Sequence, residues 1–254
     1  MDKILFICEG VKTEKKFCNL IIDKYFIQNN RKKEYVAFGT NIYGLYDEIS
    51  KDEGLDIVEL IKEKAKKKKD MYNYSKLEKG GFSEIYLIFD FDFHAPQYDD
   101  KKIKRMLTFF NNETEYGKLY INYPMIESFK HFKSLPDFDF NNYTVTKNEC
   151  ASYKQYIDSI SKIVHFNDID EKDLKIIIKQ NLDKSYIITN SSKKDYSIYM
   201  KELSQENILS CQVKCLQNNG YIYVINTSVF WGIDYFGKNK YDEYIAIELK
   251  TDIC

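Results

Sequence analysis
A mostly parallel sheet flanked by helices, followed by a mainly helical C-terminal part, is the α/β architecture that this 254-residue chain predicts. Three observations predict it. The runs KILFIC (3–8), EIYLIFD (84–90) and KLYINYP (118–124) are short, apolar and bounded by charge, glycine or proline, as buried strands are. Helical patterns lie between these runs, and strands that alternate with helices favour parallel pairing. Beyond about residue 130 the apolar spacing becomes helical almost throughout.

The elements follow in order. After the first strand, Thr13 can cap a helix in which Phe17, Leu20, Ile21, Lys24 and Tyr25 recur at helical spacing to about residue 28. EYVAFG (34–39) is a second strand. Residues 55–72 begin as a helix with Ile57, Leu60 and Ile61 on one face and then become a lysine run. The strand at 84–90 is followed by an amphipathic helix from about 99 to 112, and the strand at 118–124 ends on Pro124. Segments 148–166, 171–182 and 195–209 read as helices, 220–226 as one more strand, and an aromatic stretch, TSVFWGIDYFG, comes next. The expected division is 1–130 for the sheet domain and 131–254 for a helical region packed on it, since no Pro/Gly/Ser-rich linker separates them.

Composition excludes more than it identifies. A net charge of −1 with 30% charged residues favours neither a nucleic-acid binder nor a membrane-surface protein by charge alone. The basic residues are lysines except for Arg31 and Arg105, a bias without functional weight. The six cysteines form no C-x-x-C pair and no regular framework; Cys211 and Cys215 read as small core residues. The N-terminal apolar run ends at Glu9, and no stretch approaches the roughly 18–20 apolar residues of a membrane span. A reduced, cytoplasmic location is therefore expected, with no membrane partner.

Chemistry concentrates in two places. IYLIFDFDFH (85–94) ends a strand on Asp90 and Asp92, and residues i and i+2 of a strand share a face. ILFICEG ends the first strand on Glu9, directly before Gly10. In open parallel sheets ligands bind outside the carboxyl ends of the strands. If the two strands are neighbours, three carboxylates meet at one rim, where they repel unless a cation neutralises them. Hard oxygen donors suit Mg²⁺, with Mn²⁺ an alternative. Either motif alone has an ordinary explanation, as the solvated end of a strand or as a tight turn at Gly10.

These residues carry a resemblance. LFICEGVKTEKKFCNLI, followed about eighty residues later by IYLIFDFDFH, resembles a Toprim catalytic domain, with a glutamate after its first strand and aspartate-x-aspartate after a later one. The spelling CEGVKTEKKF is closest to the RloB-like branch and related to the OLD-type nucleases, both linked to anti-phage defence. NYPMIESF (122–129) matches that branch's further motif and places Glu127 at its acidic position. The resemblance covers about residues 3–130 and implies a Toprim-like fold and a Mg²⁺-dependent nuclease acting on DNA or RNA, tRNA included. It implies Glu9 as general acid/base or metal ligand, Asp90 and Asp92 as metal ligands, and Glu127 as an additional one.

Around the acids, Lys12 is placed to contact a phosphate and His94 to bind metal or move a proton; either can equally be an ordinary surface residue. In the run KEKAKKKK (62–69), Lys66, Lys67, Lys68 and Lys69 suit phosphate contacts, and a solvated helix face explains them as well. The 22 tyrosines could stack on bases but locate no groove. No Walker-type ATPase motif is present, so an ATPase or sensor of a defence system would be a separate protein, and a homo-oligomer or hetero-complex is expected. Two rival readings remain: a haloacid-dehalogenase-like phosphatase with Asp90 as nucleophile, which leaves Glu9 unexplained and has His94 where Thr or Val is usual, and a non-catalytic Toprim-like sensor. A primase or topoisomerase activity would need partner domains that the chain does not display.

Overall fold
The computed structural model describes residues 3–10, 12–26, 32–51, 54, 56–67, 74, 77–78 and 80–249. Strand β1 (Lys3–Cys8) leads into helix α1 (Thr13–Phe26) and then β2 (Lys32–Ala37). Helices α2 (Ile42–Ile49) and α3 (Ile57–Lys67) precede β3 (Glu84–Asp90). Helix α4 (Asp100–Phe109) and the two-residue β4 (Asn111–Asn112) precede β5 (Gly117–Tyr123). The second half begins with short 3-10 helices at Ile126–Lys130 and Phe140–Asn142, then β6 (Thr144–Thr146), α5 (Lys147–Cys150) and α6 (Tyr153–Ile160). Another 3-10 turn, Phe166–Asp168, leads to α7 (Glu171–Ile188), α8 (Tyr196–Glu202) and α9 (Gln205–Asn219). Strands β7 (Tyr221–Tyr223) and β8 (Ile225–Asn226), a 3-10 turn at Thr227–Phe230, and helices α10 (Trp231–Phe236) and α11 (Lys238–Ile245) complete the fold.

The main sheet has the order β2-β1-β3-β5-β4, with β8 also paired to β5. The pairs β1–β2, β1–β3 and β3–β5 are parallel, while β4 and β8 run antiparallel to β5. Strands β1 and β3 are buried along nearly their whole length, which explains why both read as continuous apolar runs: helices cover both faces of a parallel sheet.

Four elements differ from the sequence expectation. The single helix expected over 195–209 is two, α8 and α9, because the chain breaks at Leu203 and Ser204 caps a new helix by accepting from Asn207 N. The segment expected as one helix over 148–166 is divided into α5 and α6. Thr146 and Glu149 form a capping box that starts α5. Beyond α6, Ser161 Oγ donates to Lys130 O at 2.5 Å and Lys162 N to Phe132 O at 2.7 Å, so the chain leaves the helix there. The single strand expected at 220–226 is split at Val224, whose amide bonds Tyr143 O. Its first part, β7, pairs with β6 in a separate two-stranded sheet, and its second, β8, joins β5. Helix α2 was not expected; Asn41 caps it by accepting from Gly44 N, and Ile42, Tyr43, Leu45 and Ile49 are its buried side.

The second half reaches the sheet at β5. Thr227 Oγ1 donates to Ile121 O and Ser228 Oγ to Asn122 Oδ1, and Asn226 N donates to Asn181 Oδ1 on α7. Asp234 on α10 accepts from Tyr120 and Tyr199 hydroxyls, each at 2.6 Å, and pairs with Lys118 at 2.7 Å. Trp231, the chain's single tryptophan, meets Phe6 of β1 and Tyr86 of β3 edge-on, with ring centroids 5.6 and 5.8 Å apart. One cluster of buried apolar side chains includes Ile4 of β1 and Tyr244 of α11. No helix among the described residues is long and apolar enough to cross a membrane.

Candidate functional site
The sheet order itself marks a place for a ligand. From β1 the chain moves to one side to form β2, then crosses to the other side to form β3. The crevice at the carboxyl ends of β1 and β3 is thus a topological switch point, the usual ligand site of such sheets. Glu9 stands at one side of it and Asp90 at the other.

Glu9 lies one residue beyond β1 but still extends its hydrogen-bond ladder. Its N–H donates to Ile88 O at 3.1 Å, and its carbonyl accepts from Gly39 N at 3.0 Å. Held from both neighbours, Glu9 aims its Oε2 at the Asp90 amide, which donates to it at 3.3 Å. Asp90 Oδ1 accepts from Ile126 N at 2.8 Å, which ties the end of β3 to the segment after β5.

Asp92 arrives by a different route from the pleat alternation expected of a strand. Strand β3 stops at Asp90, and Asp92 has φ +45°, in the left-handed region that aspartate tolerates better than most residues. Phe91 N donates to both Asn122 O and Pro124 O, and the rings of Phe91 and Phe93 are buried and stacked 5.8 Å apart. Ala95 N closes the turn on Asp92 O. Two buried phenylalanines on either side leave the intervening carboxylate to face the crevice.

The outcome is a compact acidic group: carboxylate oxygens of Glu9, Asp90 and Asp92 all lie within 4.8 Å of one another. Burial and mutual repulsion make the ionised forms costly. Glu9 is pushed up to about 8, first by burial and then by Asp92, against the opposing Asp90 amide. Asp90 is held well above the usual carboxylate range by burial, then by Glu9, Glu127 and Asp92. Burial also raises Asp92, with His94 opposing. Three hard oxygen donors in a half-buried, negatively overloaded pocket fit a divalent cation such as Mg²⁺ or Mn²⁺.

Glu127 stands outside this group of three. It is buried in the 3-10 helix after β5, and its Oε1 meets Lys154 Nζ at 2.6 Å. Its charge still reaches Glu9 and Asp90. His94 lies beside Asp92, with Nδ1 3.3 Å from Cys150 Sγ. Burial, then Asp92 and Asp90, push the Cys150 thiol up to about 12, so it stays protonated at neutral pH. Lys12 lines a neighbouring cavity. Lys66 and Lys67 are exposed at the end of α3, and Lys68 and Lys69 lie outside the described residues.

Two contributors were not anticipated. Glu14, in the first turn of α1, accepts from Gly10 N at 3.0 Å and is raised mainly by burial. A Cβ at Gly10 would lie 2.6 Å from Glu14 Oε1, so a side chain there would have to displace that carboxylate. The other is Lys154, whose ammonium is the counter-ion of Glu127. Glu14 was within reach of sequence reasoning, since it begins a helix directly after a strand that ends in acid. Lys154, 27 residues beyond Glu127, carries no local signal. Comparison of the chain with protein-family models, with curated proteins and with solved structures finds no match.

Proposed function
We propose that this protein is a Toprim-like, Mg²⁺-dependent nuclease that hydrolyses phosphodiester bonds in DNA or RNA, tRNA included, within an anti-phage defence system. The observation that carries this reading is the meeting of Glu9 with Asp90 and Asp92 at the β1/β3 switch point, with their carboxylate oxygens within 4.8 Å. Two motifs about eighty residues apart in sequence, each ordinary by itself, become one site. The haloacid-dehalogenase-like alternative gives Glu9 no part in that site.

In this reading Asp90 and Asp92 hold the cation and Glu9 shares in holding it or exchanges a proton with the reacting oxygens. The bound cation would polarise the phosphodiester and neutralise the charge that grows on its oxygens. Glu9 retains its proton up to about 8 in the metal-free protein, a value suited to proton exchange near neutral pH. Asp90 is oriented by the Ile126 amide, which leaves its other oxygen for the cation. Glu14 holds the turn after Glu9 by accepting from the Gly10 amide.

The test is incubation of purified protein with single-stranded and duplex DNA, RNA and tRNA, in Mg²⁺, in Mn²⁺ and in chelator. Cleavage with either metal is expected, lost in chelator and in both Glu9→Gln and Asp90→Asn. No cleavage in any lane, or cleavage that survives chelator, overturns the reading.

A further inference from the structure
Beside the acids the surface opens into a cavity of about 410 Å³. Its wall carries four ammonium groups from three separate parts of the chain: Lys12 and Lys16 at the start of α1, Lys130 at the end of the 3-10 helix after β5, and Lys154 on α6. Two carboxylates face them. Lys130 pairs with Asp158 at 2.8 Å, and Lys154 pairs with Glu127 at 2.6 Å. Lys12 and Lys16 are exposed. In a chain of net charge −1, this is a local surplus of positive charge directly beside a cluster of acids.

Glu127 connects the two. It lines the cavity, and its charge is felt by both Glu9 and Asp90. The cavity lining and the surroundings of the acids therefore share Glu127, so a polyanion bound in the cavity lies close to them. Another stretch of the cavity's rim has a different character. Val164 is 66% exposed, His165 is exposed, and Phe166 stacks on Phe129 at 5.6 Å. The ammonium groups of the lining suit backbone phosphates, and the exposed His165 imidazole next to the exposed Val164 suits an unpaired base. A duplex would keep its bases out of reach of that rim.

We propose that this cavity is the track for a single-stranded stretch of nucleic acid beside the acids, with phosphates on Lys12 and Lys16 and a base against His165. The proposal rests on the nuclease reading, and its test is chosen to fail separately. Binding of fluorescein-labelled oligothymidylate and oligouridylate is followed by anisotropy, in chelator, over a range of salt concentrations. Each phosphate contact on a single strand contributes a slope of about −0.7 to log K against log salt, so Lys12→Ala/Lys16→Ala should be shallower by about 1.4. His165→Ala should weaken binding roughly fivefold or more with the slope unchanged.

Mn²⁺ binding to the double variant, followed by calorimetry, should match the wild type. If the double variant does not melt cooperatively, the single exposed change Lys16→Gln serves instead, with a slope shallower by about 0.7. A variant that retains wild-type slope and affinity overturns the proposal, as does a wild type that binds neither strand or binds a duplex as tightly. The oligonucleotide-binding measurements are all made in chelator, where no cleavage occurs, so the track can fail while the nuclease reading stands, and absence of metal-dependent cleavage with binding intact would sink the nuclease reading alone.

Discussion

Asp234 and Asp90 are both aspartates packed against the central sheet, and they live in opposite surroundings. Asp234 accepts from two tyrosine hydroxyls and meets an ammonium, so each of its oxygens has a donor. Asp90 has the Ile126 amide for one oxygen and otherwise faces Glu9, Asp92 and Glu127. The first arrangement holds the helical half to β5. The second stores repulsion that a packed core has no reason to keep. A carboxylate with its donors supplied is an anchor; one surrounded by its own kind marks a place where something else is expected.

Removing either aspartate separates the two roles. Asp90→Asn should lower Mn²⁺ affinity by at least about a hundredfold, measured by calorimetry, without lowering the melting temperature of the metal-free protein, because like-charge repulsion is relieved. Asp234→Ala should do the reverse. It leaves two hydroxyls and an ammonium without their acceptor and should cost about 3 kcal/mol in urea unfolding, with Mn²⁺ affinity retained. If both variants lost stability alike, the contrast would collapse.

A pH series sharpens the same contrast. Glu9 has a folded value of about 8 against an ordinary 4.5. Because the folded value is the higher, the folded state holds the proton more tightly. This stabilising contribution is complete below about 4.5 and is lost as pH rises through about 8. In chelator, urea-unfolding free energy should fall across that window by at least about 1.4 kcal/mol, the equivalent of one pKa unit. Glu9→Gln should flatten the fall. A wild-type profile that rises across the window would contradict the unbalanced acid cluster.

The smallest effect is expected at the boundary between the acids and the basic cavity. Lys154→Met leaves the buried Glu127 carboxylate without its ammonium and, because that ammonium is largely exposed, should cost about 1 kcal/mol of stability. Glu127→Gln placed on top of it should restore most of that loss. Failure of this rescue would mean that Lys154 stabilises the fold through contacts other than Glu127.

Much of the sheet was legible because β1, β3 and β5 are apolar along their length, and the burial of central parallel strands leaves few alternatives. Glu9, Asp90 and Asp92 were legible because they lie at or just past the ends of two of those strands. What local patterning could not show was how the three meet. Asp92 reaches the crevice through a left-handed turn held by Phe91 and Phe93, where strand alternation alone suggested a shared face. The break between α5 and α6 was hidden for a similar reason, since the bonds from Ser161 and Lys162 run to residues about thirty positions earlier. Lys130, Lys154 and Asp234 likewise take their meaning from distant partners. Helix α2 is only eight residues long and contains Gly44, too little periodicity to stand out.

The position of Trp231 gives the molecule its own optical probe. The only indole in the chain sits against Phe6 and Tyr86, on the two strands whose far ends carry the acids. Its emission reports whether α10 remains seated on the sheet, separately from the far-ultraviolet dichroism of the helices. Selective excitation of that indole therefore follows the docking of the second half without any label, in the same cuvette in which metal or oligonucleotide is added.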